Sequence, residues 1–155
     1  MELIVWKTKS LTMKAPPKTE KSVKAVLNQF AEAYVRRDLT SLRSMFASDP
    51  DVLLYGTGAD EKRVGLSEIQ MQAERDWSQT ESIDVTYEWM SVSSAASVAW
   101  VATNATFNVK AGGKNLILPA RITFVLENRA DQWLIVQAHC SFPAAEQAEG
   151  QSFPT

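Results

Sequence analysis

Two runs rich in β-branched and aromatic residues stand on either side of a short polar break near the C-terminal end of the chain. The first, Asn115-Leu-Ile-Leu-Pro-Ala-Arg-Ile-Thr-Phe-Val-Leu-Glu127, is followed by the break at 128–132. The second, Trp133-Leu-Ile-Val-Gln-Ala-His-Cys-Ser141, completes a strand-turn-strand signal. With Glu127 opposite Trp133, the spacing sets Val125 opposite Ile135, Thr123 opposite Gln137, Arg121 opposite His139 and Pro119 opposite Ser141. Side chains alternate across a sheet, so the remaining residues form a wholly apolar face: Ala120, Ile122, Phe124, Leu126, Leu134, Val136, Ala138 and Cys140. The first set is apolar only near the turn and polar beyond it, where Arg121 stands beside the only histidine in the chain. A slip of one residue on one strand would scramble this sorting, so the pattern constrains register.

Upstream, the chain reads as helices followed by strands. Val23, Val26, Leu27, Phe30, Ala31 and Tyr34 recur at helical spacing, with Thr19 or Ser22 as the expected cap. Asp38 opens a shorter helix with Leu39, Leu42, Met45 and Phe46 apolar, ended by Ser48-Asp-Pro. Val52 to Tyr55 reads as a short strand. The stretch from Gly56 to Lys62 reads as a turn that lacks the glycine spacing and Lys-Ser/Thr of a phosphate loop. A third helix begins at Gly65 and carries Leu66, Ile69, Ala73 and Trp77 on one side. Strands at Ile83 to Val92 and Ser97 to Lys110 lead through a tight glycine turn into the final hairpin, and Pro143 stops the last strand. Helices first and a meander of long strands after them imply an α+β domain, with the helices packed on one face of a curved antiparallel sheet. That domain is expected at 19–145. An irregular arm, 1–18, in which Glu2 to Trp6 reads as a short strand, precedes it, and a polar tail, 146–155, follows.

Composition removes several function classes. A net charge of −2 offers no general attraction to nucleic acid or an anionic membrane, although residues 1–24 hold six lysines against two glutamates. One cysteine and one histidine leave no internal disulfide and no metal site of the Cys- or His-rich kind, and no cofactor motif is present. The apolar run Leu3-Ile-Val-Trp6 is too short for a signal-peptide core or a membrane span, so a cytoplasmic location is the expectation.

Arg121-Ile-Thr, Asp131-Gln-Trp-Leu-Ile-Val and His139-Cys-Ser, with Pro143-Ala-Ala after them, resemble the end of an NTF2-like (cystatin-like) domain of the SnoaL type. The last two pieces also resemble the association domain of calcium/calmodulin-dependent protein kinase II. Phe30-Ala-Glu-Ala-Tyr-Val-Arg-Arg-Asp-Leu-Thr-Ser-Leu is similar to the opening helix pair of NTF2-like proteins. Leu53-Leu-Tyr-Gly-Thr-Gly with Val64-Gly before the third helix is SnoaL-like. The resemblance covers roughly Thr19 to Ala145. It implies a cone whose sheet and helices enclose a pocket, and a homodimer formed through the outside of the sheet.

If the polar hairpin face looks toward the helices, Arg121, Thr123, Gln137 and His139 project into that pocket. Trp100 and Asn104 on the neighbouring strand continue the lining, and Tyr34 and Trp77 close it from the helices. A buried guanidinium needs an anionic partner, either an internal carboxylate or a small carboxylate ligand. The resemblance implies the same, since the kinase association domain's arginine matching Arg121 lines a pocket for small carboxylates. A second pocket arginine of that domain falls on or near Ala102. The plainer readings are a salt bridge or interface position for Arg121 and His139, and core for Trp77 and Trp100.

Ketosteroid isomerases share the implied fold and use a helix tyrosine with a strand carboxylate. Phe30 and Tyr55 stand at those positions here, which removes the proton chemistry. Asp76 and Glu61 are the possible bases, read as solvated charges, and Cys140 lies on the opposite face from His139, so the two make no nucleophile pair. The expectation is therefore a dimer that binds a small molecule, with no catalytic residue assigned. The alternatives are an isomerase, cyclase or lyase with a shifted acid-base set, and a pure oligomerisation module.

Overall fold

The computed structural model describes residues 12–154. The expected strand at Glu2 to Trp6 lies outside the described residues. Lys14 bridges to Ser93, and backbone bonds of 3.0 Å from Ala15 to Val92 and from Ser94 to Met13 fix this stretch against a sheet edge.

Helix α1 (Pro17–Arg36) starts ahead of the expected Thr19 or Ser22 cap. Pro17 opens it, where a missing N–H is no loss, and no side chain caps it. The helix ends at Arg37, in the left-handed region with φ 59°. The Arg37 guanidinium then donates to the carbonyls of Trp77 and Thr80, both at 2.8 Å. Asp38 caps α2 (Leu39–Ser44), accepting from the Ser41 N–H at 3.0 Å. After α2 come β1 (Leu53–Tyr55), β2 (Lys62–Val64) and α3 (Leu66–Ser78). The long strands β3 (Ser82–Ala95), β4 (Val98–Ala111), β5 (Lys114–Arg129) and β6 (Gln132–Ser141) follow. Strand β2 is an addition to the sequence reading: three residues are too few for a period to show, but Leu53 pairs with Val64 and Tyr55 with Lys62. The sheet order is β2-β1-β6-β5-β4-β3, antiparallel throughout except for β1 beside β6. The α+β architecture with helices on one face of the sheet is as expected.

The final hairpin differs from expectation in register. The five-residue loop is in fact a two-residue turn. Ala130 and Asp131 take φ 50° and 64°, so pairing continues to Arg129 opposite Gln132. A bulge follows between the Val125 and Leu126 pairs. Arg121 consequently lies opposite Ser141, not His139, and Thr123 lies opposite His139. Beyond the bulge the displacement is two residues, an even number, so the sorting of faces survives. Nearer the turn the bulge puts Ile135, rather than Leu134 or Val136, on the buried side opposite Leu126.

The second difference is orientation. The wholly apolar face looks toward the helices, and the polar face looks out. Ala120, Ile122, Phe124, Leu126 and Ala138 are buried with Val23 and Leu27 of α1 in one core. Phe30 stacks edge-on against Phe46 and Phe124, with centroids 5.8 and 5.9 Å apart. A second cluster joins Ala33, Leu42, Ala73, Trp77 and Ile83. Burying the apolar set gains the transfer of its whole area from water, whereas burying Arg121, Thr123 and Gln137 would strand polar groups without partners. Among the described residues no helix is long and apolar enough to cross a membrane.

Candidate functional site

Between the inner sheet face and the helices lies a cavity of about 420 Å³. Most of its wall is apolar: Phe30 from α1, and Phe107, Ile122 and Phe124 from the sheet, with Phe142 just past β6. One side is polar, and α3 with the loop before it supplies most of that side. On α3, Ile69, Ala73 and Trp77 make the buried stripe, and Gln72 and Asp76 fall within the same stripe at helical spacing. Both therefore point inward.

The polar groups form one connected chain. The Tyr34 hydroxyl donates to Asp76 Oδ2 at 2.7 Å. Gln72 Nε2 donates to Asp76 Oδ1 at 2.7 Å and to Glu61 Oε1 at 3.1 Å, while Arg63 Nε donates to Gln72 Oε1 at 3.0 Å. Arg75 reaches Asp60 at 2.7 Å and Glu61 at 3.4 Å from behind. The Gly56 to Gly58 turn wraps the Glu61 side chain: Gly58 N–H donates to Glu61 Oε2 at 2.8 Å, and a Cβ on Gly56 would overlap that carboxylate.

Burial sets the protonation states. It raises the Asp76 carboxyl above the ordinary aspartate range. Hydrogen bonds from Tyr34 and Gln72 act against it, and the Glu61 charge adds to it. Burial, then the Asp76 charge and hydrogen bond, push the Tyr34 phenol up, so it remains protonated. The Cys140 thiol on the cavity wall is pushed up to about 12, by burial first and then by Glu61 and Asp76, and is a poor nucleophile. Among the described residues no cluster has the make-up of a metal site.

Of the residues expected to line a pocket, only Tyr34 does so. Trp77 backs it: its indole N–H donates to the Tyr34 carbonyl at 2.9 Å, and the two rings lie 6.0 Å apart, but Trp77 itself is core. Arg121, Thr123, Gln137, His139, Trp100 and Asn104 do share one face, as their parity implied, but it is the outer face. There Asn104 lies opposite Arg121, Thr123 opposite His139, and Trp100 opposite Val125. The Arg121 guanidinium is exposed and donates to the Phe142 carbonyl at 3.2 Å, so it needs no ligand to balance it. Tyr55, at the strand position where a carboxylate was sought, is also on the outer face, 5.5 Å from His139. Asp76 and Glu61, named in the sequence as possible bases but read as solvated, both line the cavity. Gln72 escaped notice altogether. Its signal was its place among Ile69, Ala73 and Trp77.

A family model described as a SnoaL-like domain matches residues 23–145. No curated protein matches the chain. Among solved structures, the fold is shared with a nuclear transport factor 2-like superfamily protein from Salmonella enterica serovar Typhimurium, at a TM-score of 0.78 and 16% identity over 90% of this chain and 100% of that one. A candidate dehydratase of the NTF2-like family from Streptomyces avermitilis superposes at 0.75 with 22% identity, covering 84% of this chain and 100% of that one. A candidate calcium/calmodulin-dependent protein kinase II association domain from Xanthomonas campestris superposes at 0.72 with 24% identity, covering 86% and 96%.

Proposed function

The chain belongs to the SnoaL-like domain family of the NTF2-like superfamily, and from that premise we propose that it works as an acid–base site on a small, largely apolar molecule held in the cavity. The observation that carries this reading is a buried carboxyl with a raised pKa, Asp76, bonded to the Tyr34 hydroxyl on the wall of an otherwise apolar cavity. A carboxyl moved up from its ordinary range is a better proton acceptor near neutral pH, and the low-polarity surroundings strengthen its pull on a nearby C–H or O–H. Tyr34 stays protonated and gives its hydroxyl hydrogen to Asp76, which holds the carboxyl in place at the cavity wall for that role. The reaction class is removal of a proton beside a carbonyl, which serves an isomerase, a cyclase or a lyase. The candidate dehydratase from Streptomyces avermitilis shares the fold alone.

The test is solvent hydrogen exchange at the carbon beside the carbonyl in a panel of cyclic and aryl ketones, followed by NMR in deuterated water. The wild type is expected to speed exchange of at least one member. Asp76→Asn should lose that acceleration by roughly a hundredfold or more, the scale of a lost general base. Saturable binding without exchange anywhere in the panel would sink the acid–base reading and leave a binding domain.

The outer sheet face suits a second copy of the chain. No described element covers it, and it carries Trp100 beside a field of polar side chains. We assign the homodimer there. Sedimentation equilibrium would read a dimer for the wild type and a monomer for Ala102→Arg, which sets an added charge at the middle of that face. A dimer unchanged by Ala102→Arg would move the interface elsewhere.

A further inference from the structure

The hydrogen-bond inventory of the cavity wall points to the kind of ligand it takes. Among the described residues, the O–H and N–H side-chain donors in the interior of that wall are already committed within the protein, and only the solvent-exposed Thr57 and Gln79 keep free ones. The Tyr34 hydroxyl is given to Asp76, and both Gln72 amide hydrogens go to Asp76 and Glu61. The Thr80 hydroxyl is given to the Asp76 carbonyl at 2.8 Å, and the Tyr87 hydroxyl to the Leu27 carbonyl at 3.2 Å. Acceptor capacity, by contrast, is left over. A carboxylate oxygen can accept two bonds, and each Asp76 oxygen receives one. Among the described residues no lysine, arginine or histidine lines the cavity. The guanidiniums that touch the wall's residues are not among its lining: Arg63 is spent on Gln72, Arg75 on Asp60 and Glu61, and Arg37 on the Trp77 and Thr80 carbonyls.

Such a wall repels carboxylates and phosphates and receives donors. The rest of the cavity favours the same class with a ring attached, because Phe30, Phe107, Phe124 and Phe142 present aromatic surface to it. An ammonium gains from aromatic faces as well as from a carboxylate. We infer that the ligand is a small aryl-alkyl amine, bound as its ammonium with the nitrogen on Asp76 and the ring among the phenylalanines. This reverses the charge of ligand that Arg121 and His139 suggested in the sequence. It deepens the reading of the cavity as the functional site, and it stands whether or not Asp76 also moves a proton.

Three probes of one shape separate the possibilities: naphthylmethylamine, naphthylmethanol and naphthoate, titrated calorimetrically into the full chain at neutral pH. The amine is expected to bind at least about tenfold tighter than the alcohol, the scale of adding charge to a hydrogen bond. Naphthoate should show no saturable binding. Asp76→Asn should bring the amine down to the level of the alcohol while leaving the alcohol's affinity within roughly threefold. Should that variant fail to fold, Glu61→Gln carries the test, with the amine's advantage expected to shrink by roughly threefold or more. Naphthoate binding as tightly as the amine, an amine preference that survives the variants, or no binding by any of the three overturns the inference. Charge preference without ketone exchange would keep this inference and remove the acid–base reading. Exchange without charge preference would do the reverse.

Discussion

The inner and outer faces of this sheet are built from alternate residues of the same strands, yet their chemistry is opposite. Along β5, Ala120, Ile122, Phe124 and Leu126 are at most 6% exposed, while Arg121 and Thr123 between them stand in solvent. The outer face holds several side chains that look functional in a sequence: an arginine, a histidine, an asparagine and a tryptophan. The inner face of β5 and β6 holds almost none. The cavity's polar chemistry therefore does not come from the sheet. It comes from Tyr34 on α1, from Gln72 and Asp76 on α3, and from Glu61 in the preceding loop, all facing a sheet surface that supplies shape and dryness. Chemistry was strongest not where polar residues were densest, but where a few of them were held inside an apolar enclosure.

The sharpest break to try is between neighbours. Phe124 is 2% exposed and packs on Phe30 at 5.9 Å, so Phe124→Ala should cost about 3–5 kcal/mol of folding stability. Thr123 is the next residue and points outward, so Thr123→Ala should stay within about 0.5 kcal/mol. Denaturant unfolding of the two variants measures the difference directly. A Thr123 loss approaching that of Phe124 would mean that a second copy packs the outer face as tightly as the helices pack the inner one.

How much of this was readable beforehand follows from the length of each signal. The alternation in β5 and β6 runs for about ten residues a strand, so the hairpin and its two faces were legible. The register was not, because it depends on Ala130 and Asp131 adopting positive φ and on a bulge near Val125, neither of which has a residue that announces it. Parity says that two faces differ but not which one lies inside. The apolar set had the stronger claim on physical grounds, and the pairing of Arg121 with His139 drew attention to the wrong side. Strand β2 is three residues long and left no period. On α3 the information was present. Gln72 and Asp76 interrupt an apolar stripe at a spacing of four, and polar residues there are either strained or functional.

A second break falls within the polar wall. The methyl of Gly56→Ala would overlap the Glu61 carboxylate, which must swing away and release Gln72 from one of its two acceptors. The expected cost is about 1–2 kcal/mol, together with a weaker grip on any cavity ligand, since an unpaired buried amide hydrogen carries a desolvation penalty. Thermal unfolding and probe titration of the same variant would check both. Unchanged values in both would mean that Glu61 is free to move and that the wall is not held from the loop.

A smaller effect appears only against pH. Burial raises the folded-state pKa of Asp76 above its ordinary value of 3.8, so in the interval between the two values the folded protein binds more protons than the unfolded chain. Stability contributed through this group therefore falls as pH rises through that interval and levels off above it. In Asp76→Asn that fall should be missing, so the stability difference, wild type minus variant, should decline from acid toward neutral pH. The exposed pair of Asp49 with Arg129 has the opposite sign. Its carboxyl is held low by the Arg129 hydrogen bond, and what it contributes is lost on acidification. Unfolding curves across pH for Asp76→Asn and Asp49→Asn would place the two slopes side by side, and parallel slopes would show that Asp76 is not desolvated in solution.

The smallest effect tests a contact that runs from the outer face to the cavity. Arg121 donates to the Phe142 carbonyl at 3.2 Å, and the Phe142 ring closes part of the cavity, 6.3 Å from Phe107. The guanidinium is exposed and the bond competes with water, so Arg121→Ala should cost about 0.5 kcal/mol. Phe142 is also held by its packing on Phe107, so losing the bond should change probe affinity by no more than roughly twofold. A large loss of affinity for a neutral probe would mean that the outer arginine sets the position of a cavity wall. A loss confined to anionic probes would mean that the guanidinium itself reaches a ligand. Either result would erase the separation of the two faces at the end of β6, and only the second would restore Arg121 as a binding residue.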